Sequence, residues 1–191
     1  MSAGPTFYYD LGSPYSWLTA ERIHQVLPVV AEWQPILLGG IWQPSGGRSW
    51  GVTERREEHM SEVERRAESY GLLPVRWPDG WPNNTLRAMR AAVFAQQAGR
   101  AVAFSLAAFR QAFAAGRDLS EVDNVLIAAA ACELHPRAVL KAIETQGVKD
   151  RLRAATADAY ERGVRGAPSV VVGDQVFWGD DRLEDAAAAL A

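Results

Sequence analysis

With one cysteine, Cys132, in 191 residues, the chain can form no internal disulfide and cannot carry out dithiol exchange. Histidine is almost as scarce, and His24, His59 and His135 share no helical face, so no metal site is expected. A basic surplus is missing too: the formal charge is -3 and the pI near 5.7, which argues against a nucleic-acid surface that neutralises phosphates. Long apolar runs are absent, the longest being Val125 to Cys132, half of it alanine, so no membrane span is expected. Met1 to Pro5 lacks the basic and apolar segments of a secretory signal, which makes the cytoplasm the expected location. Wholesale disorder is excluded by 48% hydrophobic and 23% charged residues.

The most informative segment is Ser13-Pro14-Tyr15-Ser16, which follows the strand-like Thr6 to Asp10 and opens a helical pattern. It reads as a Cys-Pro-Xaa-Cys redox motif with oxygen in place of both sulfurs, so any sulfur used here must arrive on a ligand. Ser13 is a good N-cap and Pro14 suits the first helical position, with Trp17, Leu18, Ile23, Val26 and Leu27 as the apolar positions. A second strand is expected over Glu32 to Leu38, with Pro35 marking an edge or bulge, and the unit reads as parallel βαβ. Gly39 to Gly51 reads as a glycine-rich loop carrying Trp42 and Trp50.

Thr53 to Tyr70 reads as a charged helix whose Glu and Arg residues form a solvated face, Glu62 and Arg66 pairing at i,i+4. Further helices are expected from Asn84 to about Gly163, punctuated by Gly99, Gly116, a Ser120–Asp123 capping box, Pro136 and Gly147. Cys132 falls on an alanine-rich face with Val125 and Ala129 and is expected to be buried. Ser169 to Val172, a Gly173-Asp174 turn and Gln175 to Phe177 give a hairpin, and Asp180 or Asp181 can cap a last helix. The order β-α-β, helical block, β-β-α predicts an α/β chain with a thioredoxin-like part over 1–52 and 164–191 and an all-helical insertion over about 53–163.

Four segments in register carry a resemblance: Phe7 to Leu18, Leu37 to Trp42, Pro82 to Arg90, and Gly166 to Pro168 with Phe177 to Leu183. They resemble the 2-hydroxychromene-2-carboxylate isomerases and kappa-class glutathione transferases, DsbA-like proteins with a helical domain inserted into a thioredoxin fold. The resemblance implies glutathione as cosubstrate, no metal, and a small conjugated aromatic or electrophilic substrate. It also implies no nucleic-acid or membrane partner, and a homodimer as the expected assembly. It assigns Ser13 to the glutathione sulfur, Ala167 and Pro168 to a cis-proline corner that pairs with the cysteinyl unit, and Asp180 and Asp181 to the glutamyl end. Tyr15, Trp42, Gln43, Gly47, Arg48 and Asn84 are the expected substrate-pocket residues.

The serine role is chemically sound. Holding a thiol of pKa about 8.5 as an anion at neutral pH requires about 2.7 kcal/mol, and a helix N-terminus supplies roughly 0.3 to 1 kcal/mol. A hydroxyl donating to the charge adds about 1.5 to 3 kcal/mol. Isomerases of this kind usually carry lysine and asparagine where Gln43 and Gly47 stand here, with Arg48 as a neighbouring cation. The expected activity is glutathione-dependent isomerisation, with a kappa-like transferase or a non-catalytic thiol or peptide binder as alternatives. A disulfide oxidoreductase working through Cys132 would require that thiol to be accessible.

Overall fold

Strand β1 (Thr6–Tyr9) is buried along its whole length and forms the centre of the fold. In the computed structural model, which describes residues 4–190, it pairs in parallel with β2 (Glu32–Pro35) and antiparallel with β3 (Ser169–Val172). β3 in turn pairs antiparallel with β4 (Gln175–Trp178), giving among the described residues a sheet of order β2-β1-β3-β4. Side chains alternate across a strand, and both faces of β1 are used. Phe7 and Tyr9 join the larger core with Trp33, Phe104 and Phe109, whereas Tyr8 joins a smaller one with Ile36, Ile41, Ala159 and Val171. A phenol anchors each face: the Tyr9 hydroxyl lies 2.6 Å from Ser105 Oγ, and Arg162 donates to the Tyr8 hydroxyl at 2.8 Å.

Helix α1 (Pro14–Val26) connects β1 to β2, and α2 (Leu38–Trp42) follows. The helices between β2 and β3 continue with α3 (Arg56–Ser69), α4 (Leu86–Gln97), α5 (Ala101–Phe109), α6 (Val122–Ala131), α7 (Pro136–Ala142) and α8 (Gln146–Glu161). α9 (Leu183–Ala188) closes the chain behind a 3-10 turn, Asp180–Arg182. Among the described residues no helix is long and apolar enough to cross a membrane, and no group of three or more His, Cys, Asp or Glu residues could hold a metal. Cys132 is buried, its thiol donating to the Ala129 carbonyl at 3.2 Å, and burial pushes its pKa up.

Four local expectations are corrected. β2 ends at Pro35, because the Leu37 N–H goes to Thr156 Oγ1 and the Leu38 N–H to Asp10, drawing the chain out of the ladder into α2. Glycines disfavour helix, which is why this segment reads as loop, yet a Cβ on Gly40 would lie 2.8 Å from Thr156 Cγ2. Tertiary contact with α8 therefore sets its conformation. No Ser120–Asp123 box forms: α6 starts after Glu121, and Asp118 accepts from the Ser120 N–H instead. Gly147 lies inside the first turn of α8 and separates nothing.

Asp10, buried at the end of β1, links three distant segments. One carboxylate oxygen accepts from the Gly12 N–H at 2.8 Å and the Thr85 hydroxyl at 3.2 Å, the other from the Leu38 N–H at 2.9 Å. Burial raises its pKa against the pull of those donors. A pKa raised on folding means a stabilising contribution complete below the ordinary carboxylate value and lost as pH rises through the raised one. Relative to Asp10→Asn, whose amide does not titrate, the protein is thus expected to lose stability as pH rises from the ordinary carboxylate value through the raised one. Urea unfolding of both proteins across that range checks this, and a pH-independent difference would refute it.

Candidate active site

The turn from β1 into α1 places Ser13 as the N-cap, with extended backbone at φ -94 and ψ 114. Its Oγ accepts from the Ser16 N–H at 3.2 Å and donates to the Ala167 carbonyl at 3.1 Å. No acidic side chain occupies the first turn of α1, so its positive end is not neutralised from within the helix. The Ala167-Pro168 peptide is cis, as is Trp81-Pro82. The Ala167 carbonyl already has a partner in Ser13.

A cavity of about 370 Å³ opens in front of this helix end. That is enough for a small-molecule site. Ser13, Tyr15, Trp42, Ala167, Pro168, Asp180 and Asp181, all expected from the sequence, line it together. Gln43, Gly47, Arg48 and Asn84 are not part of its lining. The reason is local. α2 and the following 3-10 turn wind the chain so that Gln43, Gly47 and Arg48 are exposed, and Gly47 packs behind Trp42. Asn84 is also exposed, and its Oδ1 accepts from the Leu86 N–H at the start of α4.

α3 supplies what sequence reading assigned to solvent. His59, Glu62 and Arg66 line the cavity, and Arg66 Nη1 lies 2.6 Å from Asp180 Oδ1 while its Nε donates to Glu62 at 3.0 Å. Burial opposes the Arg66 charge, but Glu62 and Asp180 outweigh it and hold the guanidinium firmly protonated. The hydrogen bond from Arg66 lowers the Glu62 pKa. Asp180, 1% exposed, also accepts from the Tyr70 hydroxyl at 3.0 Å, and burial pushes its pKa up against both partners. Its carboxylate is thus satisfied internally and caps no helix; that of Asp181 is largely exposed.

The Tyr15 hydroxyl lies 2.9 Å from His59 Nδ1 and donates to Glu62 at 3.4 Å. Burial, then the Glu62 charge, raises its pKa, so it stays a phenol and a proton donor. Aromatic rings extend the wall: Trp50 is 4.9 Å from His59 and 4.7 Å from Trp81 between ring centroids. Trp178, 57% exposed, stands at the rim over Gly166, where a Cβ would collide with the indole. The missed residues did leave a signal, since positions 59, 62 and 66 share a helical face beside the stripe of Val63 and Ala67.

The family model for the DSBA-like thioredoxin domain matches residues 6–191. The chain is 29% identical over 187 residues to a 2-hydroxychromene-2-carboxylate isomerase of Sphingobium xenophagum, with 93% of each covered. It is 25% identical over 194 residues to glutathione S-transferase kappa 1 of Homo sapiens, covering 93% of this chain and 86% of the relative. A solved 2-hydroxychromene-2-carboxylate isomerase superposes with TM-score 0.87 at 22% identity, over 97% of this chain and 93% of that one. A probable DsbA oxidoreductase from Streptomyces coelicolor gives 0.78 at 20% identity, over 97% and 87%. These solved structures match in fold.

Removing Arg66 leaves the buried Asp180 carboxylate without its cation. Arg66→Met is expected to destabilise by about 3 kcal/mol, and adding Asp180→Asn to restore much of that loss. Chemical denaturation of the single and double variants measures the coupling; strictly additive costs would contradict it.

Proposed function

The chain belongs to the DSBA-like thioredoxin family, and from that footing we propose that it is a glutathione-dependent enzyme acting on a small conjugated aromatic electrophile. The observation that carries this reading is the Ser13 hydroxyl, held at an open cavity by the N-terminus of α1 and the Ala167 carbonyl. One exchange of hydrogen bonds suffices for binding. The Ser13 proton turns from Ala167 to the incoming sulfur, and an N–H of the tripeptide takes over the Ala167 carbonyl. Bond for bond the exchange is nearly neutral, while the donor gained by the thiolate is charge-assisted and worth about 1.5 to 3 kcal/mol. Asp181, exposed beside the paired Asp180, faces the ammonium of the glutamyl end; the cytoplasm, where thiols are kept reduced, is the proposed setting.

The thiolate forms a carbon–sulfur bond to the conjugated system and the displaced π pair moves to the carbonyl oxygen. The former double bond is then free to rotate. Return of the electron pair expels the thiolate and completes an isomerisation, as the name of the Sphingobium xenophagum relative describes. If the adduct instead takes a proton on carbon, the outcome is a transfer, the reaction for which the kappa relative is named. The absence of Arg48 from the cavity wall favours this second outcome over isomerisation of carboxylated rings, which find no free orienting cation there.

Calorimetric titration with glutathione is expected to show binding. Ser13→Ala should keep binding, raise the pKa of the bound thiol as read from thiolate absorbance, and lower kcat/KM at neutral pH by roughly 10- to 100-fold. No heat of binding, or an unshifted thiol pKa in the variant, would overturn the reading.

A further inference from the structure

Past the thiol position the cavity changes character. Trp42, Trp50, Trp81 and the Tyr15 ring offer apolar faces, and Trp178 closes the rim. Among the described residues the lining has two basic side chains, Arg66 and His59. Arg66 is committed to carboxylates, and His59 is engaged through one of its two ring nitrogens. Arg66 is held by Asp180 at 2.6 Å and by Glu62 at 3.0 Å, with Asp181 at 3.9 Å. His59 presents Nδ1 to the Tyr15 hydroxyl at 2.9 Å. Arg48, the nearest cation in sequence to Ser49 and Trp50, is exposed and outside the lining.

Three carboxylates, Glu62, Asp180 and Asp181, therefore face one guanidinium, leaving the wall net negative. Bound glutathione adds two carboxylates and a thiolate against one ammonium, so the site becomes more negative as the second substrate arrives. An aromatic ring gains the indole faces either way, but a ring carboxylate entering this partly enclosed space meets like charge and no uncommitted guanidinium or ammonium.

We propose that the second substrate is an uncharged aromatic electrophile and that this cavity discriminates against rings bearing a carboxylate, a proposal that rests on the glutathione reading above. The step is conjugate addition: sulfur bonds to the β-carbon of an aryl enone, the π pair moves to the carbonyl oxygen, and the enolate carbon takes a proton from water. No oxidant or reductant is consumed.

The test uses methyl 4-(3-oxobut-1-enyl)benzoate and its free acid, matched in ring and enone, each with glutathione and the intact protein. For each, the enzymic rate is divided by the uncatalysed rate at the same pH. The ester is expected to be enhanced at least tenfold more than the acid at low ionic strength. The gap should narrow in potassium chloride and in Asp181→Asn. Equal enhancement, or preference for the acid, overturns the proposal. A gap unchanged by both salt and Asp181→Asn assigns the selection to shape and overturns the charge argument. Calorimetric binding of glutathione without enhancement of either probe overturns the substrate class alone, whereas absence of binding overturns the glutathione reading beneath it.

Discussion

The Asp10 carboxylate is the constraint on which the site depends. It is buried, and within one hydrogen-bond radius it fixes the turn into α1, the start of α2 through the Leu38 N–H, and the approach to α4 through Thr85. The Asp10 carbonyl also accepts from the Ser13 N–H at 3.0 Å. Ser13 therefore owes its place to a residue that does not line the cavity. A loose turn would leave the hydroxyl free to follow solvent; this one aims it at Ala167, more than 150 positions later in the chain.

The opposite wall rests on a second buried arrangement. Asp180 follows β4, Arg66 reaches it from α3 and Tyr70 from the cap just beyond that helix, so the ion pair joins the last part of the chain to the helices between β2 and β3. Buried pairs of this sort seldom add much net stability, because desolvation offsets attraction. Their effect is geometric: α3 is held with His59, Glu62 and Arg66 toward the cavity. The same pairing consumes the guanidinium. A single interaction thus shapes the pocket and also removes the cation an anionic substrate would need.

What was legible in the sequence was local chemistry. Ser13 and Pro14 read correctly as cap and first helical residue because capping depends on immediate neighbours. The hairpin at Gly173 followed from two apolar runs and the turn residues between them in the same way. What was not legible depends on remote partners. Gly40 sits in helix only because Thr156 packs against it, and Glu62 and Arg66 read as a solvated pair because nothing adjacent reveals Asp180. Gln43, Gly47 and Arg48 lie off the cavity wall for a related reason: spacing from a motif does not say how an intervening helix turns the chain.

The two serines that stand where a redox motif would have sulfur have opposite fates. Ser13 Oγ both accepts and donates, from Ser16 N–H and to Ala167. Ser16 Oγ is fully buried with no partner. An unsatisfied buried hydroxyl costs about 1 to 3 kcal/mol, which a thiol, a weaker donor in the same volume, would largely avoid. Replacing sulfur by oxygen is thus useful at the first position and unfavourable at the second. That asymmetry fits a site whose outer serine serves a guest sulfur while its inner one has no chemical task, since a resolving group is needed only where the protein's own sulfur forms a bond.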